Sequence, residues 1–212
     1  MPLQNRVTPF GEIIAVSDRG LFTGNRGILH DPATRTLGRR WASKSWLTCL
    51  FAFKGRRRTV MAPGRWTELF FLDEATALAA GHRPCFECRR KDAEAFRAAW
   101  ATGNGSFAPK VAEMDAMLHG ERLSGREKRM HPLDGPIPTL PDGVMIGVGE
   151  SSFLVIALVI AECVRRWTPS AYVAVAVEPG SAMLLTSPSI LRTLAAGYRP
   201  RLHPSALSTA HA

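Results

Sequence analysis

The chain has 212 residues, of which 46% are hydrophobic and 21% are charged, and this composition excludes a wholly disordered protein. The N-terminus lacks the apolar segment of a signal peptide, and the longest apolar run, residues 153–161, is too short to cross a bilayer. We therefore expect a soluble cytoplasmic protein with no membrane partner. The formal net charge of +9 favours a polyanionic partner.

Short strands are predicted for the first third of the chain. Residues 13–16 are apolar and mostly β-branched, and residues 45–54 alternate in a way that places largely apolar side chains on both faces of a strand. Turn residues separate this strand from two further candidates, residues 59–61 and 66–72. The pattern predicts a small antiparallel β meander.

Three helices follow the meander. Asp73 is a suitable N-cap for a helix over residues 74–80, and Gly81 stands where a left-handed C-cap is favoured. Apolar side chains recur at helical spacing in residues 91–100 and 110–123. Strands and short helices of this kind predict an α+β fold.

The sequence also predicts a division of the chain. A zinc-binding α+β domain is expected over residues 1–125, and a proline- and glycine-rich linker over residues 126–142. A small β-rich domain ending in a short helix is expected over residues 143–212.

One heptapeptide occurs twice with a single change. Residues 78–84 read Leu-Ala-Ala-Gly-His-Arg-Pro, and residues 194–200 read Leu-Ala-Ala-Gly-Tyr-Arg-Pro. Two explanations are open: both are glycine-capped helix ends followed by proline, or they are the remains of a duplication.

Cys85 and Cys88 have the spacing of a zinc-binding pair. Two thiolates separated by two residues can bind one Zn²⁺, because the intervening turn directs both sulfurs to the same point. Three neighbouring arginines, Arg83, Arg89 and Arg90, favour the thiolate form of these side chains. The alternative interpretation is a redox pair or two thiols that are close in sequence by chance.

Residues 68–90 carry a resemblance to a known family. Phe-Phe-x-Asp-Glu-Ala-x-x-Leu-Ala-Ala-Gly-His-Arg-Pro-Cys-x-x-Cys-Arg, at residues 70–89, resembles the second half of the Ada-type zinc-binding domain. The resemblance implies a structural zinc site with four ligands in a small α/β module that associates with DNA. Such modules occur in alkylation-repair regulators and in other nucleic-acid enzymes.

The resemblance also implies ligands upstream of the pair. The family supplies two further cysteines from a preceding strand and turn, whereas here only Cys49 lies upstream. The implied ligand set is Cys85, Cys88, Cys49 and one more donor, for which His30 is the first candidate and His82 the second. Cys49 has a second interpretation, as an inert core thiol, and His30 has one as a surface or capping residue. The family's methyl transfer is not carried over to Cys49.

A basic stretch adjoins this unit. Residues 32–67 contain no Asp or Glu and interleave arginines and lysines with aromatic residues, a mixture that can contact phosphates and stack on bases. We predict a nucleic-acid partner, with DNA favoured and DNA repair or processing as the setting. A solvated basic face without such a partner is the alternative. The predicted contacts are Arg39, Arg40, Arg56, Arg57, Arg58 and Arg65.

Two other functions remain open from the sequence. The third helix carries Asp115, His119, Glu121 and Arg122, which could serve an enzyme that acts on nucleic acid or a nucleotide and has a structural zinc. Alternatively, the zinc module binds an acidic protein. No catalytic residue is assigned. Cys163 lies in an apolar stretch and is predicted to be a core residue.

Overall fold

The computed structural model describes residues 1–55, 59–149, 155–175 and 182–208. These residues form two six-stranded sheets, a two-stranded hairpin and five α-helices. The α+β class predicted from the sequence is therefore confirmed. Arg56, Arg57 and Arg58 lie outside the described residues.

The first sheet holds the N-terminal strands. Its members are β1 (Gln4–Val7), β2 (Ile13–Ala15), β3 (Phe22–Asn25), β4 (Leu47–Cys49), β5 (Leu69–Phe71) and β6 (Arg83–Pro84). They lie side by side in the order β2-β1-β5-β3-β4-β6. Two of the pairings, β1 with β5 and β4 with β6, are parallel, and the others are antiparallel.

The predicted order of the meander is not the observed one. β4 and β5 do not pair, because β3 lies between them. Gly24 makes this possible, since a Cβ atom there would lie 2.0 Å from the carbonyl oxygen of Leu47. The strand predicted over residues 45–54 is observed only at Leu47–Cys49, and the chain turns through positive φ further on, at Lys54 and Gly55. Residues 59–61 form a turn and not a strand.

The second sheet is antiparallel throughout. A hairpin of β7 (Leu123–Ser124) and β8 (Glu127–Lys128) precedes it. The sheet contains β9 (His131–Pro132), β10 (Met145–Val148), β11 (Val155–Ile160), β12 (Cys163–Trp167), β13 (Tyr172–Ala174) and β14 (Ala182–Leu184), in the order β13-β12-β11-β10-β14-β9. Cys163 is exposed at the start of β12, so its prediction as a core residue was wrong.

The five helices are α1 (Glu74–Ala79), α2 (Arg90–Gly103), α3 (Val111–Arg122), α4 (Pro188–Ala195) and α5 (Pro204–Leu207). The predicted caps of α1 are confirmed: the Asp73 carboxylate accepts a hydrogen bond from the Thr76 amide at 2.9 Å, and Gly81 has a φ of +86°. Gly197 ends α4 with a φ of +104°. Both copies of the repeated heptapeptide are therefore glycine-capped helix ends.

The main hydrophobic cluster draws on both halves of the chain. Leu78, Phe96 and Leu118 from the first three helices pack with residues of the second sheet and α4. Within residues 126–142, β8 pairs with β7, and β9 pairs with β14. The predicted division into two domains stays a prediction. Across the described ranges, no helix has both the length and the apolar character that crossing a membrane requires.

Candidate metal centre

The parallel pairing of β4 with β6 brings two distant cysteines together. The Arg83 amide donates to the Trp46 carbonyl at 3.1 Å, and the Cys85 amide donates to the Thr48 carbonyl at 3.0 Å. This register places Cys85 beside the end of β4, where Cys49 lies. Cys88 follows in the turn before α2.

The three cysteines form one cluster. The Sγ atoms of Cys49, Cys85 and Cys88 all lie within 4.8 Å of one another, and none of the three residues is in a disulfide. Thiolates bound to one Zn²⁺ at about 2.3 Å are separated by roughly 3.8 Å in a tetrahedral site. Cys49 and Cys85 are buried, and Cys88 is half-buried. The three cysteines are close enough to bind a metal ion.

Hydrogen bonds distribute charge unevenly within the cluster. Hydrogen bonds from Cys49 and Cys88, together with the backbone amides of Cys88 and Glu87, lower the pKa of Cys85 to about 2. Hydrogen bonding to Cys85 and Cys88, and burial, raise the pKa of Cys49. Cys85 is therefore the thiol of the cluster that loses its proton most readily, and metal binding to thiolates releases protons.

Neither histidine considered from the sequence joins this cluster. His30 Nδ1 hydrogen-bonds to the Thr67 hydroxyl at 2.7 Å. His82 is fully buried, its Nε2 accepts from Arg26 Nε at 2.9 Å, and its Nδ1 is 3.1 Å from the Leu47 carbonyl. The structure brings together three of the four predicted ligands and places His30 elsewhere.

A large cavity opens beside the cysteines. It has a volume of about 840 Å³, and all three cysteines line it. Sequence reasoning did not assign Glu68 to this site, although it is the first acidic residue after the acid-free stretch. Its Oε2 accepts from the Met61 amide at 2.8 Å. The other polar and aromatic residues of the wall are Asn25, Phe53, Thr59, Arg65, Trp66 and Glu87.

The predicted basic contacts occupy two separate places. Arg65 lines the cavity at the cysteines. Arg39 and Arg40 line a second cavity of about 570 Å³ together with Arg126, whose carbonyl accepts a hydrogen bond from Arg40 Nη1 at 2.6 Å. Arg126 was missed because it belongs to the segment predicted as a linker.

The polar residues of α3 contact different parts of the protein and do not converge on one site. Asp115 accepts two hydrogen bonds from Arg83, at 2.7 and 2.8 Å, and thereby ties α3 to β6. His119 Nδ1 accepts from Arg122 at 2.9 Å, and Glu121 accepts from the Ser189 amide at 3.1 Å. None of them lines the cavity at the cysteines.

Two buried arginines and one half-buried lysine contact Trp46 and the end of α1. The Cζ atoms of Arg26 and Arg122 each lie 3.8 Å from the ring centroid of Trp46, well within the distance of a cation–π contact. Lys128 Nζ donates to the Ala79 carbonyl. Burial, Arg26 and Arg122 lower the pKa of Lys128 to about 7.

Lys128→Met is expected to stabilise the protein more at pH 6 than at pH 9. Below the lowered pKa the Lys128 amine is charged in both the folded and the unfolded state, so burying its charge lowers the free energy of unfolding by the full amount. Above this pKa the folded state releases a proton that the unfolded state keeps, and the destabilisation by Lys128 becomes smaller. Arg40, Glu12 and Glu127, which share a cavity with Lys128, are unchanged by the substitution.

Urea unfolding of variant and wild type measures this difference. The gain should be on the order of 2–4 kcal/mol at pH 6 and about 2 kcal/mol smaller at pH 9. Lys91→Met, at an exposed position on α2, is the matched control and should change stability by less than about 0.5 kcal/mol at either pH. An equal gain from Lys128→Met at both pH values would contradict the prediction.

The Ada-type zinc domain expected from residues 68–90 stays a prediction. Comparisons with protein-family models, with curated proteins and with solved structures found no match.

Proposed function

We propose that this chain is a zinc-binding protein whose ion is held by Cys49, Cys85 and Cys88. The observation that carries the proposal is the convergence of these Sγ atoms within 4.8 Å from two separate segments of the chain. Three thiolates suit Zn²⁺, which prefers sulfur and nitrogen ligands in a tetrahedral arrangement. A structural role follows, because the ion would join β4, β6 and the start of α2.

Metal analysis of the purified chain tests this proposal. Protein prepared under reducing conditions and exposed to excess zinc should retain about one ion per chain after dialysis. Protein that retains no zinc, while a folded state is verified by circular dichroism, would contradict it.

A second function, nucleic-acid binding with DNA favoured, is supported by the second cavity. Arg39, Arg40 and Arg126 line it together, and their guanidinium groups give this part of the surface a positive potential. Glu12 also lines this cavity, so the positive charges outnumber the negative one there. Clustered arginine side chains bind phosphates through paired hydrogen bonds.

Arg39→Ala combined with Arg40→Ala is expected to weaken DNA binding and its salt dependence. Loss of two phosphate contacts should reduce the slope of log K against log salt concentration by about 1.8. Arg90→Ala with Arg97→Ala removes the same charge from the exposed face of α2 and should leave the slope nearly unchanged. Fluorescence anisotropy over a salt series measures both, and equal slopes for the two double variants would contradict this function.

A further inference from the structure

The cavity next to the cysteine cluster reaches solvent. Within the described residues, the cluster contains three ligands and no fourth His, Cys, Asp or Glu. Cys88 is half-buried and Glu87 is exposed, so the cavity is open beside the sulfurs. Zinc sites with three protein ligands keep a fourth position for water or another ligand. A metal bound here therefore has a coordination position that faces the cavity.

The charge around that position disfavours anions. A divalent ion with three thiolates carries a net charge of about −1. Among the residues that the structure describes, Glu68 and Glu87 add two negative charges to the wall and Arg65 adds one positive charge, while Lys54 Nζ lies 5.2 Å from the ring centre of Phe53. Two like charges 4 Å apart repel by about 4 kcal/mol at an effective dielectric constant near 20. A neutral donor is favoured over phosphate, carboxylate or chloride.

The wall of the cavity also favours a flat, aromatic ligand. Phe53 and Trp66 line it, and Leu47 and Ala62 add apolar surface. Aromatic rings of this kind stack on planar heterocycles. The volume of about 840 Å³ falls in the range of cavities that enclose small organic molecules.

We propose that the metal at this site binds a neutral, planar nitrogen heterocycle, the donor class that includes imidazole and the purine bases. The ring nitrogen completes the coordination of the metal, and the ring packs against Phe53 and Trp66. This inference rests on the proposed metal site and adds the chemical class of its external ligand. The heterocycle is a free small molecule or a base within a nucleic-acid strand.

The test uses the full chain with Co²⁺ in place of zinc, because the visible spectrum of Co²⁺ reports its ligands. Imidazole, adenosine and a short single-stranded oligoadenylate should each change the d–d absorption saturably, whereas chloride and acetate should not. Metal content after dialysis verifies that the ion stays bound. An oligoadenylate that binds at least tenfold more tightly than adenosine identifies a strand as the source, and equal affinities identify the free molecule.

Two variants test whether the ligand binds in the cavity. Phe53→Ala should weaken binding of adenosine by about tenfold, the loss of one stacking contact, without loss of cobalt. Phe107→Ala is the matched control, because Phe107 is fully exposed and does not line the cavity. Trp66→Phe, which keeps an aromatic ring, should retain binding.

The outcomes separate this inference from the zinc proposal. Failure to bind cobalt or zinc at all would overturn both. A protein that binds cobalt but shows no spectral response to any of the three heterocycles keeps the metal site and overturns the inference. An equal response to acetate, or unchanged affinity in Phe53→Ala, would also overturn it.

Discussion

Cys85→Ala is expected to reduce the zinc content from about one ion per chain to nearly none. Cys85 is the central member of the cluster, because its sulfur receives hydrogen bonds from Cys49, Cys88 and the Glu87 amide. Its removal leaves Cys49 and Cys88 as two ligands, fewer than the three that zinc sites retain from the protein.

The same substitution should lower stability wherever zinc is present. An ion that binds only the folded state at a free concentration a thousandfold above its Kd stabilises that state by about 4 kcal/mol. A strong chelator should therefore destabilise the wild type by a similar amount and leave Cys85→Ala unchanged. Denaturant unfolding with and without chelator measures all four values.

Cys163→Ala provides the control for loss of a thiol. Cys163 is exposed on β12 of the second sheet and is absent from the cluster. This variant should keep both the zinc and the sensitivity to chelator. Retention of zinc by Cys85→Ala, or its loss from Cys163→Ala, would show that the ion is held elsewhere.

The sequence predicted the parts of this site that depend on local chemistry. Asp73 caps α1 and Gly81 ends it because both roles need only neighbouring residues, so the signal lies within one helical turn. Cys85 and Cys88 are two residues apart, and their proximity follows from a single turn. Apolar periodicity also predicted α2 and α3, although α2 continues to Gly103, three residues beyond its predicted end.

The remaining parts depend on pairings between distant segments. Cys49 reaches Cys85 only because β4 lies parallel to β6, which residues 45–54 alone do not specify. His30 was placed at the metal by elimination, whereas Thr67 pairs with it in the folded chain. The order of β3, β4 and β5 depends on the close approach of Gly24 to Leu47, which is visible only after the strands are assembled.

The roles of charged residues were the hardest to predict. Arg122 looked like part of a catalytic group, but its guanidinium stacks on Trp46 and donates to the Gly81 carbonyl at 2.8 Å. Asp115 looked like an acid or base, but its carboxylate is saturated by Arg83 and Ser45. Sequence spacing puts such residues on one face of a helix without specifying what that face contacts.

Glu74→Ala is expected to destabilise the protein by about 3–5 kcal/mol. Glu74 is buried at the start of α1 and joins three segments: Arg89 Nη2 lies 2.8 Å from Oε2, the Tyr198 hydroxyl donates to Oε1 at 2.6 Å, and the Arg201 amide donates to Oε2 at 2.9 Å. Its removal leaves the Arg89 charge without its most buried partner, although Asp92 remains at 2.8 Å.

The exposed ion pair of Arg90 and Glu94 is the control that separates the effect of burial from the effect of losing an ion pair. Glu94→Ala removes the same side chain from an ion pair at 3.3 Å whose members are 70% and 50% exposed, and it should cost less than about 1 kcal/mol. Glu74→Gln keeps an acceptor for Tyr198 but removes the charge opposite Arg89, so its cost should fall between those of the two Ala variants. Urea unfolding measures the free energy of unfolding of all three variants. Similar losses for Glu74→Ala and Glu94→Ala would contradict the prediction that Glu74 holds together the start of α1, Arg89 after the cysteine pair, and residues 198–201.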